Sequence, residues 1–134
     1  MTALKTIEGV GPKYASDLKR AGIATAEALL AKGATPQGRK AIAEGSGISE
    51  KLVLEWVNHV DLFRIKGVGE EYADLLEEAG VDTVVELAQR KGDHLMQKMT
   101  EVNAQKKLVR QLPTLPKVIY WIEQAKKLQR VVKY

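Results

Sequence analysis

Ile7-Glu8-Gly9-Val10-Gly11 returns 58 positions later as Ile65-Lys66-Gly67-Val68-Gly69. The likeness spreads outward from the glycines. Leu4–Leu29 laid on Leu62–Leu87 without gaps gives 12 identities in 26 positions, among them Tyr14/Tyr72, Ala15/Ala73, Leu18/Leu76, Ala21-Gly22/Ala79-Gly80 and Thr25/Thr83. Self-similarity at a fixed period marks a duplicated supersecondary unit.

Both copies carry the same physical instructions. A short apolar helical piece (Leu4 and Ile7, Leu62 and Ile65) runs into a Gly-Val-Gly turn. Glycines supply backbone conformations that a Cβ resists, and the valine between them suits a plug into a core. A helix then starts at once, with Pro12 at a position where its missing N–H costs nothing. Tyr14, Leu18 and Ala21 share one face of that helix, and Gly22 and Gly80 end the two helices. The N-terminus of such a helix offers free N–H groups and positive partial charge to an anion. On this reading both glycines of each turn are needed by the backbone, and a valine at Gly11 or Gly69 damages the fold.

Helical signals continue through the chain. Thr25 opens a short helix through Leu29 and Leu30, and Thr35-Pro36 caps and starts another through Ile42. Gly45-Ser46-Gly47 breaks it, and Ser49 caps a helix carrying Leu52, Trp56 and Val60 on one face as far as about Asp61. In the second copy Thr83 and Glu86 make a capping box. Lys91-Gly92-Asp93 leads into a helix with Leu95, Met99 and Val102, and Asn103 separates this from the Leu108 segment. Leu112–Pro116 forms a rigid turn, and Pro116 starts the last helix. Trp121 matches Trp56 at an offset of 65, the extra residues being assigned to that turn. No sustained alternation of apolar and polar residues appears, so an all-α fold is expected.

At these residues the chain resembles the helix-hairpin-helix family: an apolar residue, any residue, Gly-apolar-Gly, then an aromatic-Ala pair and a later leucine. Over nearly its whole length it is similar to a prokaryotic family of unknown function built from two such units, through IEGVGPKYA, GATPQGR, WVN and FRIKGVGEEYADLLEEAGVDTV. The resemblance implies two pseudo-symmetric, SAM-like repeats packed together. The first repeat is 1–61, and the second is 62–134 with a basic C-terminal helix. It also implies non-catalytic, sequence-nonspecific binding of DNA phosphates by hairpin amides, with no organic cofactor and room for a monovalent cation at a hairpin. The matching residues are Gly9, Val10, Gly11 and Lys13 in the first copy and Gly67, Val68 and Gly69 in the second. The bland reading stands beside it: the hairpin is an architectural corner, or a scaffold for protein–protein contact and assembly.

Composition narrows the choice. The 134 residues are 45% hydrophobic but only 5% aromatic, so aliphatic side chains must build the core. Halves of ~60 residues make marginal cores alone, which leads to the expectation that the repeats share one buried surface. With no cysteine, disulfides and thiolate metal sites are out, which suits a reducing cytoplasm. No apolar run approaches the ~20 residues of a membrane span, and no signal-peptide pattern opens the chain. The net charge is +4, unevenly spread: net +1 over 1–61, −3 over 62–99 and +6 over 100–134.

The two hairpins differ where charge matters. Lys13/Glu71, Lys19/Glu77 and Arg20/Glu78 invert, while Glu8 stands in the first turn where the second has Lys66, itself a candidate phosphate contact. The first hairpin is therefore the better phosphate site, through Lys13 and Arg20. The acidic helix Glu70–Glu78 suits a basic protein partner. Val118, Trp121, Ile122, Ala125, Leu128 and Val132 form an apolar face, with Lys126, Arg130 and Lys133 within an arc of roughly 60° opposite. That arc is either a basic rim for a phosphate backbone or an ordinary solvated face. His59 and His94 have no ligand spacing around them, and no serine sits in a nucleophile-elbow pattern. No enzyme is expected.

Overall fold

The computed structural model describes residues 2–134. Eight α-helices account for most of them: α1 (Pro12–Arg20), α2 (Ala26–Lys32), α3 (Pro36–Ser46), α4 (Glu50–Leu62), α5 (Glu70–Glu78), α6 (Val84–Ala88), α7 (Gly92–Lys106) and α8 (Leu115–Lys127), preceded by one 3-10 turn at Leu4–Thr6. No strand forms among the described residues; a single antiparallel bridge pairs Ala3 with Thr25. No helix among them is long and apolar enough to cross a membrane.

The chain divides into two compact units, Met1–Asp61 with Val131–Tyr134, and Leu62–Arg130. In the first, α1 and α2 pack on α3 around Ile7, Leu18, Ile23, Leu29, Val53 and Val57, all 1% exposed or less. In the second, α5 packs on α7, and α8 lies against both α6 and α7. Leu62, Ile65, Leu75, Leu76, Leu87, Leu95, Met99 and Trp121 fill that core.

Hydroxyl side chains start most of the helices. Thr25, Thr35, Thr83 and Thr114 each accept a backbone N–H of the first turn of α2, α3, α6 and α8, at 3.1–3.4 Å, and Ser49 does the same for α4 at 3.2 Å. Such a cap satisfies one of the orphan donors at a helix start. In the expected capping box, the Glu86 carboxylate accepts instead from the N–H of Asp82, one residue before the cap.

Four sequence expectations need correction. Asn103 does not interrupt α7. Its carboxamide bonds both the N–H and the C=O of Val109, closing the loop beyond the helix, while Lys107 ends α7 in a left-handed conformation (φ 51°) more often taken by glycine. The residues that widen the tryptophan offset are shared between a longer α7, 15 residues against 11 in α3, and the 107–114 segment. The 3-10 turn at Leu4–Thr6 has no counterpart at Leu62, which closes α4. Most consequentially, α8 stops at Lys127. Beyond it the chain has no regular secondary structure, and Val132 buries in the first unit, where the Lys133 N–H bonds Ala34 O and the Lys133 C=O accepts from Arg39.

Candidate nucleic-acid interface

Each Gly-Val-Gly turn is built against a tryptophan. Gly9 and Gly67 take φ of +89° and +95°, the left-handed region that glycine alone enters freely. A Cβ on Gly9 would stand 3.5 Å from Nε1 of Trp56, and one on Gly67 3.0 Å from Nε1 of Trp121. Tyr14 leans on Trp56 at 5.1 Å between ring centroids and 58° between planes; Tyr72 leans on Trp121 at 5.3 Å and 52°. Val10 and Val68 are each 5% exposed, plugged into their cores. At the far ends of α1 and α5, Ile23 N–H returns to Leu18 O and Val81 N–H to Leu76 O, each over a glycine in positive φ. Lys32 Nζ then bonds Gly22 O at 3.2 Å, and Arg90 Nη2 bonds Gly80 O at 2.9 Å. Lys32 and Arg90 occupy matching positions, three residues beyond Leu29 and Leu87.

The second glycine of each turn behaves differently, and the expectation that it is needed by the backbone is overturned. Gly11 (φ −89°, ψ −173°) and Gly69 (φ −101°, ψ −163°) are ordinary extended N-caps. Beyond the adjoining residues of the chain, no described atom lies within 4 Å of where a Cβ would stand on either. Neither the fold nor the packing asks for glycine there, and no side chain caps α1 or α5.

Residues 8–128 match the model of a family described as a domain of unknown function, DUF4332. The chain belongs to the DUF4332 family. No curated protein and no solved structure matches it.

Charge separates the two Gly-Val-Gly turns of this DUF4332 chain. The first turn of α1 holds no acidic residue, whereas that of α5 holds Glu70 and Glu71, which already offset the positive end of their own helix. Lys13 and Arg20 share one face, but they are not the bare cations the sequence implied. Both pair with Asp17, at 3.5 and 2.5 Å, while their own side chains stay 88% and 66% exposed. The Arg20 guanidinium, helped by Lys13, holds the Asp17 carboxyl below its ordinary pKa. The position matching Asp17 in the second copy is the fully buried Leu75. There Glu78 pairs instead with Lys106, so one member of the acidic Glu70–Glu78 helix is already matched inside its own unit.

The second turn is held from α8. The carboxamide of Gln124 accepts the Lys66 N–H at 2.9 Å and donates to the Lys66 C=O at 3.1 Å, which leaves the Lys66 side chain exposed. The basic arc expected on the last helix is not carried by that helix, which ends at Lys127. Lys126 is on α8 and pairs with Glu123 at 3.5 Å. Arg130 follows the helix in chain without regular secondary structure, and Lys133 belongs to the first unit. The periodicity ran on past the helix that carried it.

Proposed function

We propose that this chain is a tandem helix-hairpin-helix protein that binds nucleic-acid phosphate without catalysis and without sequence preference. In this reading the first hairpin is the principal contact. A phosphate seats on the uncapped start of α1, against the amides that follow Gly11, with Lys13 and Arg20 beside it and any monovalent cation at the turn as an accessory. The observation that carries the reading is Gly11 itself, a residue whose lack of side chain serves neither backbone conformation nor packing. Five other helices of the chain begin with a hydroxyl side chain bonded to their first turn. A hairpin that keeps glycine in that place leaves its amides open and its approach clear, which is what a phosphate oxygen requires.

The test is a titration of the whole chain with labelled duplex DNA at ~50 mM salt and again at higher salt, where counterion release lowers affinity steeply. Gly11→Ala should keep the fold at a cost of about 1 kcal/mol or less and weaken binding several-fold. Lys13→Glu should weaken it by roughly tenfold at low salt, two charge units being worth on the order of 1 kcal/mol when exposed and screened. Glu71→Lys should leave affinity unchanged or raise it. Undetectable binding by the unaltered chain at low salt would end this reading in favour of a protein-contact role.

A further inference from the structure

The second unit carries a cationic, aromatic stripe that the first unit lacks, and it lies beside the turn that the hairpin-helix acids make unfavourable for phosphate. By the 100° step of a helix, Lys117, Tyr120, Gln124 and Lys127 fall within an arc of about 80° on α8. Tyr120 is 54% exposed, and Lys117 and Lys127 are exposed on either side of it along the helix. Gln124, one turn on from Tyr120, is the side chain that clamps the Lys66 peptide. The exposed Lys66 therefore joins the same stripe at its hairpin end. Glu123 lies just outside the arc and is already paired with Lys126. Apart from this paired Glu123, and from Glu70 and Glu71 on α5, no carboxylate adjoins the stripe in sequence or helical register.

The matched positions read Leu52, Glu55, His59 and Leu62 on α4, with Glu8 in place of Lys66. Charge thus inverts twice between the copies, in opposite senses. The hairpin helix goes from basic to acidic, while the turn and the last helix go from acidic and apolar to basic and aromatic. The packing of α8 leaves Tyr120 exposed. Trp121 and its neighbours supply that helix's core contacts from the other side.

We infer that the Lys66–Lys117–Tyr120–Lys127 stripe of the second unit binds single-stranded nucleic acid, a base stacking on Tyr120 while the lysines follow the backbone phosphates. Three lysines around an open ring complement a flexible polyanion whose bases are unpaired. A duplex hides the base faces such a ring would use, whereas every unpaired base offers one. The inference rests on the phosphate-binding reading above for the kind of partner, but it uses a different unit and different residues.

The experiment measures fluorescence anisotropy of labelled oligothymidylate and of a blunt duplex of equal length, with the whole chain at low salt. Tyr120→Ala should weaken single-strand binding by about five- to a hundredfold, the range of one base–aromatic stack, and leave duplex binding unmoved. Tyr120→Phe, which keeps the ring, should restore it. Lys66→Glu and Lys127→Glu should each weaken single-strand binding and flatten its salt dependence by about one charge. An unchanged melting temperature in each variant separates contact from folding. If Tyr120→Ala leaves the oligothymidylate affinity within about twofold, or lowers single-strand and duplex binding equally, the stacking site is wrong. If the duplex binds and the single strand does not, this inference falls and the first-hairpin reading stands. If neither binds, both fall. Displacement of the oligonucleotide by polyglutamate as readily as by nucleic acid would also overturn it, the stripe then serving an acidic protein.

Discussion

Gly9 and Gly11 stand two residues apart and are glycine for opposite reasons, as are Gly67 and Gly69. The first of each pair is demanded from inside: its positive φ strains any side chain, and at Gly67 the tryptophan edge also stands only 3.0 Å from where a Cβ would be. The second has ordinary dihedrals and open space where a side chain would stand. Side by side in sequence the two look alike, yet one is a requirement of folding and the other a vacancy kept at the surface. The same lesson holds between the units. Their interiors agree to within a few tenths of an ångström at the tyrosine–tryptophan contact, while the charges laid over them invert. Packing keeps what the two copies share, and surface chemistry is where they part.

The largest difference between the units is that only the first is closed by the end of the chain. Val132 is 2% exposed, Lys133 bonds Ala34 and Arg39 through its backbone, and the Tyr134 hydroxyl donates to Asn58 at 3.2 Å. Arg39 is itself buried, its other nitrogen bonded to Gly33 O at 2.8 Å, and burial holds its pKa below the usual arginine value. Removing residues 131–134 should therefore cost the first unit about 2–4 kcal/mol, from lost apolar burial and a buried guanidinium short of one acceptor. Trp56 and Trp121 give one indole N–H resonance per unit, so denaturant titration followed by NMR reads the two separately. A shift confined to Trp56 means the units unfold apart. An equal shift of both means a single cooperative transition, as marginal halves would require. No shift in either would break the account of the closing segment.

A smaller effect sharpens the comparison of glycines. Gly9→Ala should destabilise by about 1–2 kcal/mol through its left-handed backbone. Gly67→Ala should cost about 1 kcal/mol more, because its Cβ meets the buried Trp121 edge at 3.0 Å rather than 3.5 Å. Equal losses at the two, or a larger loss at Gly11 than at Gly9, would undo the distinction between demanded and vacant glycines.

Much of this was legible from the residues alone. The repeat, the threonine caps, the valine plugs and the matched tryptophans all follow from identity, hydroxyl chemistry and apolar spacing, which are local signals. What escaped was decided over distance. Val132 continues the apolar period of α8 by spacing, but its burial in the first unit and the backbone bonds of Lys133 outweigh helix continuation through Val131-Val132, whose β-branched side chains add little to a helix. Asn103 looked like a breaker because asparagine prefers caps and turns; its bonds to Val109 could not be seen without the loop. Asp17 gave no signal at all. An acid between two bases at helical spacing is commonplace, and only its near-burial shows that it organises Lys13 and Arg20.

That carboxylate supports the smallest effect and the finest separation of the two copies. Asp17 pairs with both cations of α1, Lys13 and Arg20, where the second unit has Leu75. Its folded pKa is lowered below 3.8, chiefly by the Arg20 hydrogen bond and with a further contribution from Lys13. A depressed acid pKa stabilises the fold above its unfolded value and loses that contribution as pH falls through the folded value. The stability difference between the natural chain and Asp17→Asn should thus be constant near neutrality, begin to shrink near pH 3.8 and go on shrinking as pH falls through the lowered folded value, as denaturant midpoints across acid pH will show. The same substitution changes the net charge of the Lys13–Asp17–Arg20 face from +1 to +2. If the face only supplies charge, duplex DNA should bind about two- to threefold more tightly at low salt, and the gain should disappear as salt rises. If Asp17 instead aims the two cations at a phosphate, Asp17→Asn should weaken binding despite the added charge. Asp17→Glu, which keeps the charge but lengthens the arm, should weaken it as well. A loss in both variants would recast the first hairpin as a preorganised clamp, and a gain in Asp17→Asn alone would leave it a patch of positive potential.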